Sequence, residues 1–332
     1  MNDQNTTTTP ATPAATQLPP DSPVRARILE AARTVRNTTP LAQSVTNFVT
    51  VNFVANAQLA AGGTAAMSYL PDDVLATAEI CNASYINVGT LQPYFREAFP
   101  EIARGFKRLG HPWVLDPVAA GIGDTRTAIL TAFRDTPPTV VRGNASEIIT
   151  LATMWGLGAP FDKAYDGAAA ASNADSNADG TDGHAAHGAA EATDVDITAN
   201  RPQGVESVDD VDSARDAAVA LARFIGGAVA VSGAVDLVTD GTTVYRLPGG
   251  SEYMTKITGA GCSLGGVVGT YLAVADPLTA ALGASALYNQ AGSAAGRKAH
   301  GPGSFQVEFL DALWATTPEQ IAAAPITVES AR

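Results

Sequence analysis

Cysteine is scarce in this sequence: Cys81 and Cys262 are the two in 332 residues. They lie far apart and match no metal-ligand spacing, and two thiols make no disulfide framework. A reducing, cytoplasmic compartment is therefore expected. Long apolar runs are also lacking. The longest, roughly Gly261 to Ala275, falls short of the ~20 residues that span a bilayer, so no membrane partner is expected. The start of the chain has no basic segment followed by an apolar stretch, and no secretory signal is expected. Positive charge is short as well. Lys and Arg number 20 against 33 Asp and Glu, a formal net charge of −13. That balance disfavours nucleic acid, whose affinity comes largely from Lys and Arg on phosphates. It leaves a single nucleotide open, because backbone N–H groups and a few local donors can hold one.

What is present is a chain that is 46% hydrophobic and long enough for one large core. Residues 1 to about 22 are mostly Thr, Pro, Ala and Asn and read as a disordered tail. Apolar residues at helical spacing (Ile28, Leu29, Ala32, Val35) predict a first helix, and Phe48 to Ala61 a second, closed by Gly62-Gly63. An alternation of short strands and helices follows. The strands are Ala65 to Met67, Ser84 to Val88, Trp113 to Leu115, Thr139 to Val141 and Ala228 to Val231, with a hairpin at Asp236 to Arg246 turning on Asp240-Gly241. Such alternation indicates βαβ units and a largely parallel sheet. About 159–203 breaks the rhythm with Ala, Asp, Asn, Ser and Gly, and reads as a disordered acidic insertion. The domain is expected over 23–320, with 321–332 a flexible C-terminus.

In a parallel α/β sheet ligands bind beyond the carboxyl ends of the strands. The residues there are Met67, Asn87-Val88-Gly89, Asp116-Pro117, Arg142-Gly143-Asn144 and Ser232-Gly233, a mixture of carboxylate, guanidinium, amide and hydroxyl that suits a metal–nucleotide site. Thr258-Gly259-Ala260-Gly261-Cys262 then opens a long small-residue helix, whose free N–H groups suit a phosphate; equally, it could be an ordinary glycine-bearing helix entry. It has neither the Lys of a Walker A loop nor the third Gly of a dinucleotide fingerprint. Cys262, expected in the first turn, would have a lowered pKa there, or would simply be a small buried residue. Asn144-Ala145-Ser146-Glu147 has the spacing of a capping pair, or turns Glu147 towards the water shell of Mg²⁺. Arg142 could grip a phosphate or form an ion pair, and Ser232 could bind a phosphate or ribose or cap a strand end. His184 and His187 lie in the insertion with no third ligand in sight, which argues against a metal there.

Several blocks together resemble the hydroxyethylthiazole kinase family of the ribokinase-like superfamily. They are Ser44-Val45-Thr46-Asn47, Ala66-Met67, Asn87 to Leu91, Leu115 to Val118, Val141 to Glu147, Val231 to Asp236, Thr258 to Cys262 and Gly301 to Phe305, in order from about Pro40 to Trp314. The resemblance implies a three-layer α/β/α fold with a mostly parallel central sheet. It implies ATP- and Mg²⁺-dependent phosphorylation of the primary alcohol of 4-methyl-5-(2-hydroxyethyl)thiazole, a step of thiamine salvage. In that reading Met67 and Asn47 lie at the thiazole pocket, Gly259 contacts the substrate, and Arg142 and Ser232 contact ATP. Asp116 and Glu147 face Mg²⁺, and Cys262 stands where many superfamily relatives carry a catalytic aspartate. A homotrimer with interfacial active sites is also implied. The sequence departs from the family pattern at Gln43, usually His, and at Ala119, usually Gly after Asp-Pro-Val. The competing expectations are another ribokinase-like kinase, for a hydroxymethylpyrimidine or a sugar, and a catalytically silent nucleotide-binding protein.

Overall fold

The computed structural model describes residues 15–157 and 210–331. The first part runs β1 (Thr16–Gln17), α1 (Pro23–Thr38), β2 (Leu41–Val45), α2 (Val51–Ala60), β3 (Thr64–Met67), α3 (Pro71–Ala78), β4 (Ala83–Asn87), α4 (Phe95–Leu109), β5 (Trp113–Asp116), α5 (Asp124–Ala132), β6 (Val140–Asn144) and α6 (Ala145–Met154). The second runs α7 (Arg215–Ile225), β7 (Ala228–Ser232), β8 (Val235–Thr239), β9 (Thr243–Pro248), α8 (Ala260–Leu272), α9 (Pro277–Lys298), α10 (Pro302–Ala315), α11 (Pro318–Ala322) and β10 (Thr327–Ser330). The first 14 residues and the acidic insertion with His184 and His187 lie outside the described residues.

All described strands join one sheet, in the order β1-β10-β9-β8-β7-β6-β5-β4-β2-β3. The six from β7 to β3 are parallel, and β8, β9, β10 and β1 extend the sheet antiparallel. One core packs α1, α2, α8, α9, α10 and α11 on one face, and a second packs α3 to α7 on the other. This is a three-layer α/β/α architecture with a mostly parallel central sheet. Short apolar strands such as Trp113-Val114-Leu115, buried on both faces, are what a sheet covered on two sides requires. Among the described residues no helix is long and apolar enough to cross a membrane.

Over the described residues, 15–22 and 321–331 do not have the loose structure expected of them. Thr16 and Gln17 pair with Val328 and Thr327, the Leu18 N–H donates to the Ile326 carbonyl at 2.9 Å, and the side chains of Leu18 and Ile326 are buried. Ser22 caps α1 by accepting from the Val24 N–H. Without β10, the backbone groups of β9 would form an open sheet edge. Glu329 locks the added strand, accepting from Arg215 Nε at 3.1 Å with Arg246 Nη2 at 3.5 Å. Strand β2 falls in a stretch that the apolar pattern left unassigned, because Gln43 and Ser44 interrupt it. Their polar groups are matched inside: Gln43 Nε2 donates to the Val74 carbonyl and Ser84 Oγ, and Ser44 Oγ donates to Gln58. The hairpin loop is also longer than two residues. It spans Asp240–Thr242, and Asp240 Oδ1 accepts the N–H groups of Thr242 and Thr243.

Candidate active site

From β2 the chain crosses one face of the sheet through α2 to reach β3, then the other face through α3 to reach β4 on the far side of β2. That reversal opens a crevice between the carboxyl ends of β2 and β4, where doubly wound sheets bind ligands. Asn47 and Asn87 meet across it. Asn47 Nδ2 donates to Asn87 Oδ1 at 3.0 Å and lies 3.5 Å from Cys262 Sγ.

One strand over, Asp116 is fully buried. Its Oδ2 accepts from Tyr85 OH at 3.0 Å, Asn87 Nδ2 at 3.2 Å and Arg142 Nη1 at 3.1 Å. Arg142 Nη2 donates to Ser232 Oγ at 2.9 Å, so the strand-end serine holds the guanidinium. Burial works against the Arg142 cation, but Asp116 and Glu147 outweigh it and hold it protonated. Burial pushes the Asp116 carboxyl up, while Arg142, Tyr85 and Asn87 oppose the rise. Two buried atoms of this cluster have no hydrogen-bond partner among the described residues: Asp116 Oδ1 and Arg142 Nε. Buried polar groups are normally satisfied, so two orphans on one ion pair, at the carboxyl ends of neighbouring strands, point to a missing ligand.

The glycine turn closes over this cluster. Gly259 has φ +93°, a conformation that disfavours side chains, and starts α8 with no side-chain cap. The helix begins at Ala260, so Cys262 is its third residue. The first N–H groups of the helix have no intrahelical acceptor. A Cβ on Gly261 would sit 2.9 Å from both terminal nitrogens of Arg142; only glycine lets the guanidinium lie against the turn. Beside it, a cavity of about 350 Å³ is lined by Val49, Asn52, Phe53, Lys256, Thr258 and Gln306, among others.

The Cys262 thiol overturns one expectation. Burial raises its pKa, Asp116 adds to the rise, and Arg142, Asn87 and Thr50 oppose it. A helix N-terminus is worth about 0.3–1 kcal/mol to a nearby anion, whereas burial moves pKa values by up to several units. Burial beside a carboxylate therefore wins, and the thiol stays protonated at neutral pH.

Glu147 keeps both of its readings. It forms a full capping box with Asn144, its Oε2 accepting from the Asn144 N–H at 2.8 Å, and its Oε1 accepts from the Ala119 N–H at 3.0 Å. Its carboxylate is thus held close enough to the Asp116–Arg142 pair to raise the pKa of Arg142. Met67 ends the edge strand β3, in register with Ser44. It lies three strands from Asp116, about 14 Å at the usual strand spacing. The structure thus joins Asn47, Asp116, Arg142, Ser232, Gly259 and Cys262 around one crevice and leaves Met67 at its far rim.

Similarity to known proteins agrees with this geometry. The sequence profile of the hydroxyethylthiazole kinase family matches residues 32–182 and 184–319. The chain is 58% identical over 330 residues to the hydroxyethylthiazole kinase of Bifidobacterium longum strain DJO10A, covering 95% of each chain. It is 60% identical over 310 residues to that of Bifidobacterium adolescentis, covering 91% of this chain and 94% of the relative. The chain belongs to the hydroxyethylthiazole kinase family. A solved structure of the hydroxyethylthiazole kinase protein from Pyrococcus horikoshii shares the fold, with a TM-score of 0.71 at 27% identity, covering 91% of this chain and 98% of that one. A kinase family implies ATP as co-substrate.

Against the hydroxyethylthiazole kinase pattern, the two departures are now explained. Gln43 is buried and bonded to the Val74 carbonyl and Ser84, so it faces the α3 layer and not the pocket. Ala119 has φ +57°, the left-handed region where glycine is at ease. The sequence reading missed Tyr85 and Arg126. Tyr85 was legible only as a strand residue, yet its ring lies under Gly265, where a Cβ would approach within 2.4 Å. Arg126 donates to the carbonyls of Val88 and Gly89 and so braces the end of β4; a lone arginine on the weakly patterned α5 gave no signal.

Proposed function

We propose that this chain transfers the terminal phosphoryl group of ATP to the primary alcohol of 4-methyl-5-(2-hydroxyethyl)thiazole, in thiamine salvage. The observation that carries the reading is the buried Asp116–Arg142 pair, with unpartnered atoms on both members, packed against an uncapped helix N-terminus. Phosphoryl transfer is chiefly positioning and charge neutralisation. Arg142, steadied by Ser232, offers a fixed cation to the phosphate chain. The free N–H groups at the start of α8 receive the transferring phosphoryl. Gly259 leaves room for the alcohol to approach.

Asp116 Oδ1 fits a magnesium ion: it is a buried carboxylate oxygen with no partner, and its other oxygen is oriented by three donors. Among the described residues no three His, Cys, Asp or Glu converge on a ready-made cage. That matches magnesium, which takes one or two carboxylates and keeps waters and substrate phosphates. Asp116 would hold it, with Glu147 facing its water shell. When bound, magnesium supplies charge neutralisation at phosphate oxygens. Cys262, as a protonated thiol beside Asn47, orients the alcohol, whose own proton leaves late, once the bond to phosphorus has largely formed, to an oxygen of the transferred phosphoryl group.

Met67 would line the thiazole end of the pocket. A homotrimer with interfacial sites is supported by exposed Phe48, Val49 and Leu70 around the β3 rim; light scattering on the purified chain checks it. Two free thiols, Cys81 and Cys262, favour a cytoplasmic setting. A coupled ADP-release assay with the thiazole alcohol, hydroxymethylpyrimidine and a sugar panel tests the whole reading. Turnover with the thiazole alcohol above all others is expected. Preference for another alcohol, or ATP binding without turnover, overturns it.

A further inference from the structure

We propose that Asp236 and Asn289 form a positioning pair that sets both nucleotide-facing turns of the site against helix α9. The proposal rests on the reading of Arg142 and Ser232 as the ATP side. Asp236 is the second residue of β8 and is buried, as is Asn289 in α9. Asp236 Oδ1 accepts from the Gly233 N–H at 2.9 Å, and Oδ2 accepts from Asn289 Nδ2 at 3.1 Å. Gly233 directly follows Ser232, the residue that holds the Arg142 guanidinium. Asp236 therefore pins the peptide next to the serine.

The second turn hangs on the same asparagine. Asn289 Nδ2 also donates to the Leu247 carbonyl at 3.0 Å, and the Asn289 carbonyl accepts from the Gly250 N–H at 3.0 Å. Gly249 and Gly250 both have positive φ, and a Cβ on Gly249 would meet Asn289 Cβ at 2.9 Å. Ser293, one helical turn on, brackets Gly250 through its N–H and its carbonyl. From Gly250 the chain passes through a short 3-10 segment, Glu252–Lys256, directly into Thr258-Gly259. One residue of α9 thus registers the approach to the phosphate turn, through its side chain at Leu247 and its carbonyl at Gly250, and, through its side chain on Asp236, the Ser232 turn.

A simple turn cap would need only the bond to Gly233. The second bond, to α9, buries a carboxylate that no cation touches, an expensive way to close a hairpin. Burial pushes Asp236 up to about 6, against the Gly233 N–H, Asn289 and Arg142, which shows how unfavourable that placement is. The carboxylate has two acceptors at a fixed angle, and two elements use them.

The experiment is steady-state kinetics on the full-length chain and on Asp236→Ala, Asp236→Asn and Asn289→Ala, varying ATP and the thiazole alcohol separately, with unfolding midpoints for each. Asp236→Ala and Asn289→Ala are expected to raise KM for ATP about five- to tenfold and leave KM for the alcohol within twofold. Asp236→Asn keeps one acceptor for Gly233 and should fall between them and the parent. If Asp236→Ala does not fold, the other two variants decide. Unchanged KM for ATP, equal rises in both KM values, or a kcat that falls only with the folded fraction would overturn the pair's role. A parent chain that does not phosphorylate the alcohol would instead sink the functional reading beneath it.

Discussion

Strands β4 and β5 each carry one buried polar cluster near their start and another at their end, and the two clusters differ in kind. Near the start, Ser84 Oγ lies 2.8 Å from His111 Nε2 and accepts from Gln43 Nε2 at 2.8 Å. Everything there is neutral, and burial holds the His111 pKa down to about 4. At the end, Asn87 and Asp116 meet an arginine, and charge is retained in spite of burial. A neutral, bonded cluster is what a core tolerates. A buried ion pair with orphaned atoms is destabilising by itself and marks a site that a ligand completes. The same two strands therefore show what structure requires and what chemistry requires.

The largest break in that contrast should come from Asp116→Asn. It keeps the shape but removes the charge, and should lower kcat by about 10²–10³-fold, the usual cost of one preorganised electrostatic group. Ser84→Ala, on the same sheet, should leave kcat within a few-fold and lower the unfolding midpoint instead. Kinetics paired with denaturant melts on both variants separate the two cases. An active Asp116→Asn enzyme would refute the charged cluster's role.

Cys262 sharpens the comparison, since it is a neutral group inside the charged cluster. A general base contributes about 10²–10⁴-fold; a protonated thiol that only orients the alcohol contributes at or below the low end of that range. Cys262→Ala should therefore lose about 10–100-fold in kcat, and Cys262→Asp should stay active. An unaltered kcat in Cys262→Ala would remove the thiol from positioning the alcohol altogether.

Much of the charged cluster was legible because its residues end apolar strands. Asp116, Arg142 and Ser232 each follow a run of Val, Leu or Ala, and the topological rule for parallel sheets then places them together. The neutral cluster was not legible. His111, Ser84 and Gln43 share no motif, and nothing local says that Gln43 points under α3. Cys262 was half legible: its place in the helix entry could be read, but its proton depends on Asp116, 146 positions earlier in the chain. Strand β10 was hidden for a related reason. Four residues, Thr327–Ser330, have little pattern of their own and become a strand because β9 offers an edge.

Acid should distinguish the two ends by sign. The His111 pKa is about 4 folded against an ordinary 6.5, so below pH ~6.5 the unfolded chain binds a proton that the folded chain refuses. Stability falls as pH drops from 6.5 to 4, by on the order of 2 kcal/mol from this residue. Asp236 works the other way: at about 6 folded against 3.8, it protonates first in the folded chain and adds stability as pH falls through 6. Urea unfolding of the parent and His111→Gln at pH 7 and 4.5 reads the difference. The variant should lose less stability on acidification, and an equal loss would contradict the buried neutral imidazole.

Strain separates the two ends at the smallest scale. Ala119, at φ +57°, sits beside Pro117 at the charged end and gives its N–H to Glu147. A left-handed alanine costs about 1–2 kcal/mol. Glycine there would remove that strain but free the unfolded chain by a fraction of it. Ala119→Gly should thus raise stability by up to about 1 kcal/mol, seen as a higher urea midpoint with an unchanged slope. The bond from residue 119 to Glu147 comes from the backbone and survives the change, so KM for ATP should stay within twofold. A destabilised Ala119→Gly would mean that the methyl group packs against something worth more than the strain, and that this end of the sheet is stiffened by its alanine.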